Sequence, residues 1–269
     1  MGMIIHYAEE KNRKDFVQNV LEHHSLDLAS KKNIFIKPNI VSRDPYPATT
    51  HPDLLEALII ALKSTGKNIF VADGPSLDRG KEMLKKTDLH GVCVRHDIPL
   101  FHFKTFKTKT IQSPGSEYSY RIYEAPFEYD YLISLPVLKT HKLSDVMMTC
   151  ALKNQFAFFA SFNRLKLHLL HHVNQAIADI NALVKPDLFM VDALEVLIHA
   201  NEMRYGGVAK KCGIMFSGTD PVALDSYAFT LLKQTGETKM ADKTVRDIAY
   251  IALAERQGLG AIQYALEKL

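Results

Sequence analysis

Cysteine is scarce in this chain, and the scarcity excludes two classes of protein at once. Cys93, Cys150 and Cys212 are far apart, odd in number and in no CxxC pair. Neither a disulfide framework nor an iron–sulfur repeat is supported, because a cluster usually needs four thiolates. The chain alone is therefore not expected to hold such a cluster, and a reducing cytoplasm is the default setting. Glycine is unclustered as well: none of the 13 glycines builds a phosphate cradle. GxGxxG after a strand, GxxxxGK followed by Ser or Thr, GxSxG and an EF-hand loop are all missing. Classical NAD or ATP use is not expected, and any phosphate would have to be held by lysines and helix N-termini. No apolar run reaches the ~18 residues of a membrane span. Met1 to Ala8 is too short for a secretory signal before charge intervenes. Net charge is only +3 with histidine neutral, too mild to argue for nucleic acid. The one basic cluster, Lys104, Lys107 and Lys109, alternates with Thr and Phe as the solvated face of a strand would.

What is present is an ordinary globular composition: 269 residues, 47% hydrophobic and 23% charged. The spacing predicts a single α/β domain over residues 1–269, a mostly parallel sheet flanked by helices. Short apolar runs at Met3 to Tyr7, Asn33 to Ile36, Asn68 to Ala72, Leu100 to Phe103, Tyr131 to Leu138, Leu188 to Val191 and Gly213 to Phe216 read as strands. Between them lie helical repeats. Leu54, Leu55, Leu58, Ile59 and Leu62 recur at helical spacing behind Pro52, with Thr50 or His51 as cap and Gly66 as stop. Strand–helix–strand units of this kind build a parallel sheet with right-handed crossovers. Thr105 to Ile111 and Tyr118 to Tyr123 alternate and predict a hairpin inserted at about 104–124. Asn163 to Val184 reads as the longest helix, and the tail from Lys243 to Leu269 as helical with a break at Gly258 to Gly260.

The chemistry is expected where these strands stop. Five apolar runs hand over to polar groups: Lys37 with Asn39, Asp73, Lys139 with His141, Asp192, and Thr219 with Asp220. Such ends share one edge of an open parallel sheet, and ligands bind in the crevice outside it. Each group could instead be a cap or turn residue, and Asp220 before Pro221 is best read that way. Lys139, Thr140 and His141 are neither good caps nor turn formers, and unpaired buried charge is costly. Thr149 and Lys153 share a helix face with Asn154 beside them, though a solvated surface would show the same spacing. Asp225 sits on an apolar helix face and needs a partner, which a lysine could supply. His51 could donate to an anion. His168, His171 and His172 lack the Glu of a zinc helix, and adjacent residues diverge by about 100°, so no metal ligand is assigned. His168 or His171 is instead placed facing the crevice, with His168 taken as the candidate binding residue.

Taken together these pieces resemble the family called domain of unknown function 362. The matching residues are Lys37-Pro38-Asn39, Thr50-His51-Pro52, Asp73-Gly74-Pro75, and Leu135-Pro136 with Lys139-Thr140-His141. Thr149 with Lys153-Asn154, His168, Pro186 with Asp192, and Gly218-Thr219-Asp220-Pro221 with Asp225 complete the series. Many relatives carry a ferredoxin-like segment with clustered cysteines, which this chain lacks. The resemblance thus implies either a separate ferredoxin-like electron carrier as partner or a reaction that is not redox. Arg204-Tyr205-Gly206-Gly207 departs from the Gly-Pro of relatives, so that loop is expected to be reshaped.

The leading expectation is an enzyme acting on a small anionic ligand, carboxylate or phosphate. Lys37, Lys139 and Lys153 would hold the anion, His141 would serve as general acid or base, and Asp192 or Asp225 would orient the imidazole or a lysine. The alternative is a non-catalytic carrier of a metallocluster or anionic ligand. The sequence identifies no cofactor.

Overall fold

The computed structural model describes residues 3–9, 12–74, 81–141, 146–161, 164, 167 and 173–269. Its elements in chain order begin with β1 (Met3–Ala8), α1 (Arg13–His23), α2 (Ser25–Ala29), β2 (Asn33–Pro38), α3 (Pro52–Ser64), β3 (Asn68–Asp73), α4 (Asp88–Arg95) and β4 (Leu100–His102). A hairpin, β5 (Thr108–Gln112) and β6 (Ser119–Tyr123), precedes β7 (Tyr131–Leu135), β8 (Val137–Thr140), β9 (Met148–Thr149) and the single-turn α5 (Ala151–Asn154). After α6 (Val173–Leu183) come two long strands, β10 (Leu188–Ile198) and β11 (Val208–Gly218), then α7 (Pro221–Gln234), α8 (Ala249–Arg256) and β12 (Tyr264–Lys268).

The main path of the large sheet runs β12-β1-β11-β10-β7-β2-β3-β4. From β10 to β4 every neighbouring pair is parallel, whereas β11 runs antiparallel to both β10 and β1. Side chains alternate across it as a strand's period of two demands. Ile34 and Ile36 join a core with the apolar faces of α1, α3 and α4, while Phe35 between them joins a core with α6, α7 and α8. The hairpin forms its own two-stranded sheet, Thr108 opposite Tyr123, and buries Tyr120, Ile122 and Tyr123 in the second core. Among the described residues no helix is long and apolar enough to cross a membrane.

Three expectations are corrected. The strand expected over Tyr131 to Leu138 is two strands, because Pro136 cannot donate to a ladder. β7 pairs with β2, and the chain then steps across so that β8 pairs with β10 and β9. The strand expected to close at Asp192 continues to Ile198, paired with β11 through an irregularity after Ala193. Asp192 is therefore mid-strand. The tail is helical only to Arg256; Gly258, at φ 72°, turns the chain, and β12 adds to the free edge of β1 in parallel. Part of the stretch expected as the longest helix, with His168, His171 and His172, lies outside the described residues. Val173–Leu183 is helical.

Candidate functional site

Strands β2, β3 and β8 bring Lys37, Asp73 and Lys139 to one edge of the sheet, and the β9–α5 segment folds back over it. Between them lies a cleft of about 490 Å³. Of the residues singled out from sequence, it collects Lys37, Asn39, Asp73, Lys139, His141, Thr149, Lys153 and Asn154. Register explains part of this. Thr149, expected on a helix face with Lys153, is instead in β9, where it stands opposite Lys139 in the β8–β9 ladder, and α5 then presents Lys153 and Asn154 one turn on.

The floor is a closed polar network. The Lys37 ammonium donates to Asp73 Oδ1 at 2.9 Å, Pro38 O at 3.0 Å and Asn154 Oδ1 at 3.2 Å. Asp73 also accepts from Gly74 N at 2.8 Å and Ile40 N at 2.5 Å. Asn39 donates to Asn154 Oδ1 at 2.9 Å, and Asn154 donates to Ser134 Oγ at 2.9 Å. Burial lowers the Lys37 pKa, and the Asp73 charge and hydrogen bond oppose that shift. Thr50 braces the adjoining loop, accepting from Asn39 N and donating to Leu135 O.

The other cations are not neutralised in this way. Lys139 is 2% exposed and donates to two neutral acceptors, Asn39 Oδ1 at 3.0 Å and Ala48 O at 2.5 Å. Burial pushes its pKa down to about 7, with Glu202, Asp73 and Asp44 pulling against that and Lys37 adding to it. Lys153 lies 3.9 Å from the centre of the Phe156 ring. Its pKa also falls to about 7, through burial first and then the charges of Arg164, Lys139 and Lys37. Among the described residues neither ammonium has a carboxylate partner. Arg164, buried at the same cleft, donates to Gly74 O at 2.5 Å and Ser161 Oγ at 3.3 Å. His141 lines the cleft and is held by its backbone, donating N–H to Met147 O at 2.7 Å and accepting from Lys239 Nζ at 3.2 Å.

Four expected residues lie elsewhere. Asp192 is fully buried outside the cleft; it accepts from Arg13 Nε at 2.5 Å and the Tyr46 hydroxyl at 2.7 Å, and so orients neither Lys139 nor His141. His51 is the cap of α3, accepting from Asp53 N at 3.1 Å with its ring against Tyr46. Burial, and then the charge of Arg13, lower its pKa. Thr140 points away, its buried hydroxyl toward Leu197 O at 3.5 Å. Asp225 sits behind the cleft wall, where its carboxylate accepts from Leu152 N at 3.4 Å; burial pushes its pKa up to about 7. The groups around it that favour its charged form are the Ala151 and Leu152 amides of α5 and the Cys150 and Tyr250 side chains, not a lysine. His168 lies outside the described residues.

The sequence reading missed Arg164, Glu202 and Tyr205, which also line the cleft. Arg164 carried no signal, lying in a stretch of mixed basic and apolar residues read simply as helix. Tyr205 lies within the loop expected to be reshaped, and Glu202 just before it. Arg204 pairs there with Glu202 at 2.9 Å and stacks on the Tyr205 ring at 4.5 Å. Among the described residues no group of three or more His, Cys, Asp or Glu side chains converges as metal ligands.

The fold is similar to that of the lactate racemase apoprotein from Thermoanaerobacterium thermosaccharolyticum, with a TM-score of 0.51 and 17% sequence identity. The match covers 81% of this chain and 54% of that one, so the chain spans about half the length of that structure. At this identity the likeness is one of fold. No curated protein matches the sequence. The profile of the family described as Domain of unknown function (DUF362) matches residues 34–230, a span that contains every cleft residue named above. The chain belongs to the DUF362 family.

Proposed function

We propose that the protein is an enzyme acting on a small anionic substrate, a carboxylate or a phosphate, bound in the cleft at the strand ends. The observation that carries this is the pair Lys139 and Lys153. Both are held in a low-dielectric cleft with pKa values near 7 and without a carboxylate partner among the described residues. Like charges gathered in this way disfavour one another, and an anion relieves that repulsion. His141 faces the same cleft, and an imidazole ordinarily titrates near neutrality, which suits a general acid or base. Lys37 and Asp73 act as a rigid floor, while Asp192 and Asp225 belong to the framework. The shared fold adds that the same scaffold serves, in the lactate racemase, an enzyme named for a small carboxylate.

A panel of small carboxylates and phosphates, scored by thermal unfolding at fixed ionic strength, tests the reading. At least one is expected to stabilise the wild type and to be consumed by it. His141→Gln is expected to keep the stabilisation while turnover of that compound falls by roughly 10²–10⁴. Absence of any stabilising anion, or full turnover by the variant, would overturn the proposal. Binding without turnover by the wild type would leave a carrier.

A further inference from the structure

We infer that the cleft is built for a tetrahedral oxydianion, the phosphate group of a phosphomonoester or inorganic phosphate, and not for a single carboxylate; this rests on the anion-site reading above. The three protons of Lys37 meet three acceptors, Pro38 O, Asp73 Oδ1 and Asn154 Oδ1. Both Asp73 oxygens are occupied, one by Lys37 and Gly74 N and the other by Ile40 N. The Asn154 oxygen is shared by Lys37 and Asn39. The floor therefore offers a guest almost nothing to bond with.

Unused capacity lies on the cations. Lys139 has two acceptors for three protons, and Lys153 has none among the described residues, its ammonium resting on the Phe156 ring. Arg164, only 6% exposed, leaves its buried Nε without an acceptor among the described residues. Of the neighbouring charges, that of Arg164 weighs most on Lys153. A group that only accepts, through several oxygens and with more than one negative charge, satisfies this set. One carboxylate would neutralise one cation and leave the others facing each other. Phosphate presents three acceptor oxygens and suits the fork of an arginine beside a lysine point charge. The cleft's 490 Å³ exceeds what a lone phosphate fills, leaving room for an organic body beside Phe156 and Tyr205.

Calorimetric titration at pH 7 and constant ionic strength tests this with glycerol 3-phosphate, inorganic phosphate, malonate, lactate and acetate. Glycerol 3-phosphate is expected to bind at least tenfold more tightly than lactate or acetate, and Lys153→Met to weaken it at least tenfold while its thermal midpoint stays at or above the wild-type value. Repeating the titration at pH 8 in two buffers of different ionisation enthalpy is expected to show net proton uptake, as a lysine regains its charge. Inorganic phosphate binding as tightly as the ester would uphold the dianion site with free phosphate as its guest. Lactate or acetate matching phosphate, with loss in Lys153→Met, would overturn the dianion and leave the anion site standing. Malonate binding tightest would overturn the tetrahedral guest. Phosphate binding the wild type and Lys153→Met alike would also overturn the inference, and binding of none of the five would overturn both readings.

Discussion

At the scale of single residues, lysines that look alike in sequence do opposite work. Lys37 and Asp73 form a 2.9 Å ion pair with side chains 1% and 2% exposed. Removing one partner of such a pair strands the other's charge, at a cost of about 3–5 kcal/mol. Lys153 strands nothing among the described residues, because its neighbours are cations and a ring. Lys37→Met is therefore expected to lose about that amount in urea unfolding, whereas Lys153→Met, measured without added anions, keeps or gains stability. Comparable losses in the two variants would show that Lys153 also serves an internal pair. Sequence reasoning grouped Lys37, Lys139 and Lys153 together as anion holders. The distinction between them is which acceptor lies within 3 Å, a tertiary fact no local pattern encodes. Arg164 was invisible for the same reason.

At the scale of elements, α5 is a single turn and cannot hold itself in place. Isolated short helices are marginal, so this one is fixed from behind. Asn181 of α6 donates to Leu152 O at 2.9 Å, and Asp225 of α7 accepts from Leu152 N. The Asp225 carboxyl is raised to about 7 from its ordinary 3.8. Between those values the folded state keeps a proton that the unfolded chain has released, so stability falls as pH rises through that interval. Asp225→Asn keeps the acceptor and cannot ionise. It is expected to remove that slope and to be at least as stable as the wild type at pH 8. Asp225→Ala leaves a buried N–H without a partner and is expected to lose about 1–3 kcal/mol. Denaturant unfolding at pH 5 and pH 8 checks both, and an Asn variant as unstable as the Ala variant would count against this role. The elements legible in sequence were those with local punctuation: β2, α3 behind Pro52, β3, and α7 capped by Asp220. β10 and β12 were misjudged because their lengths depend on partners distant in the chain.

At the scale of the molecule, the parallel part of the sheet does what strand-end patterning foretold, gathering Lys37, Asp73, Lys139 and His141 at one edge. Asp192 failed that pattern because its strand continues past it, and Arg13 supplies the charge that its burial requires. What the edge holds is positive charge in excess of its carboxylates, and that excess is the centre of the account. Carbon-13 NMR of the lysine ε-carbons across pH tests it most directly, with Lys139→Met and Lys153→Met assigning the signals. Two lysines are predicted to titrate near pH 7, and both are predicted to move upward when phosphate is added. Lysines that all titrate near their ordinary 10.5, unmoved by phosphate, would contradict the account.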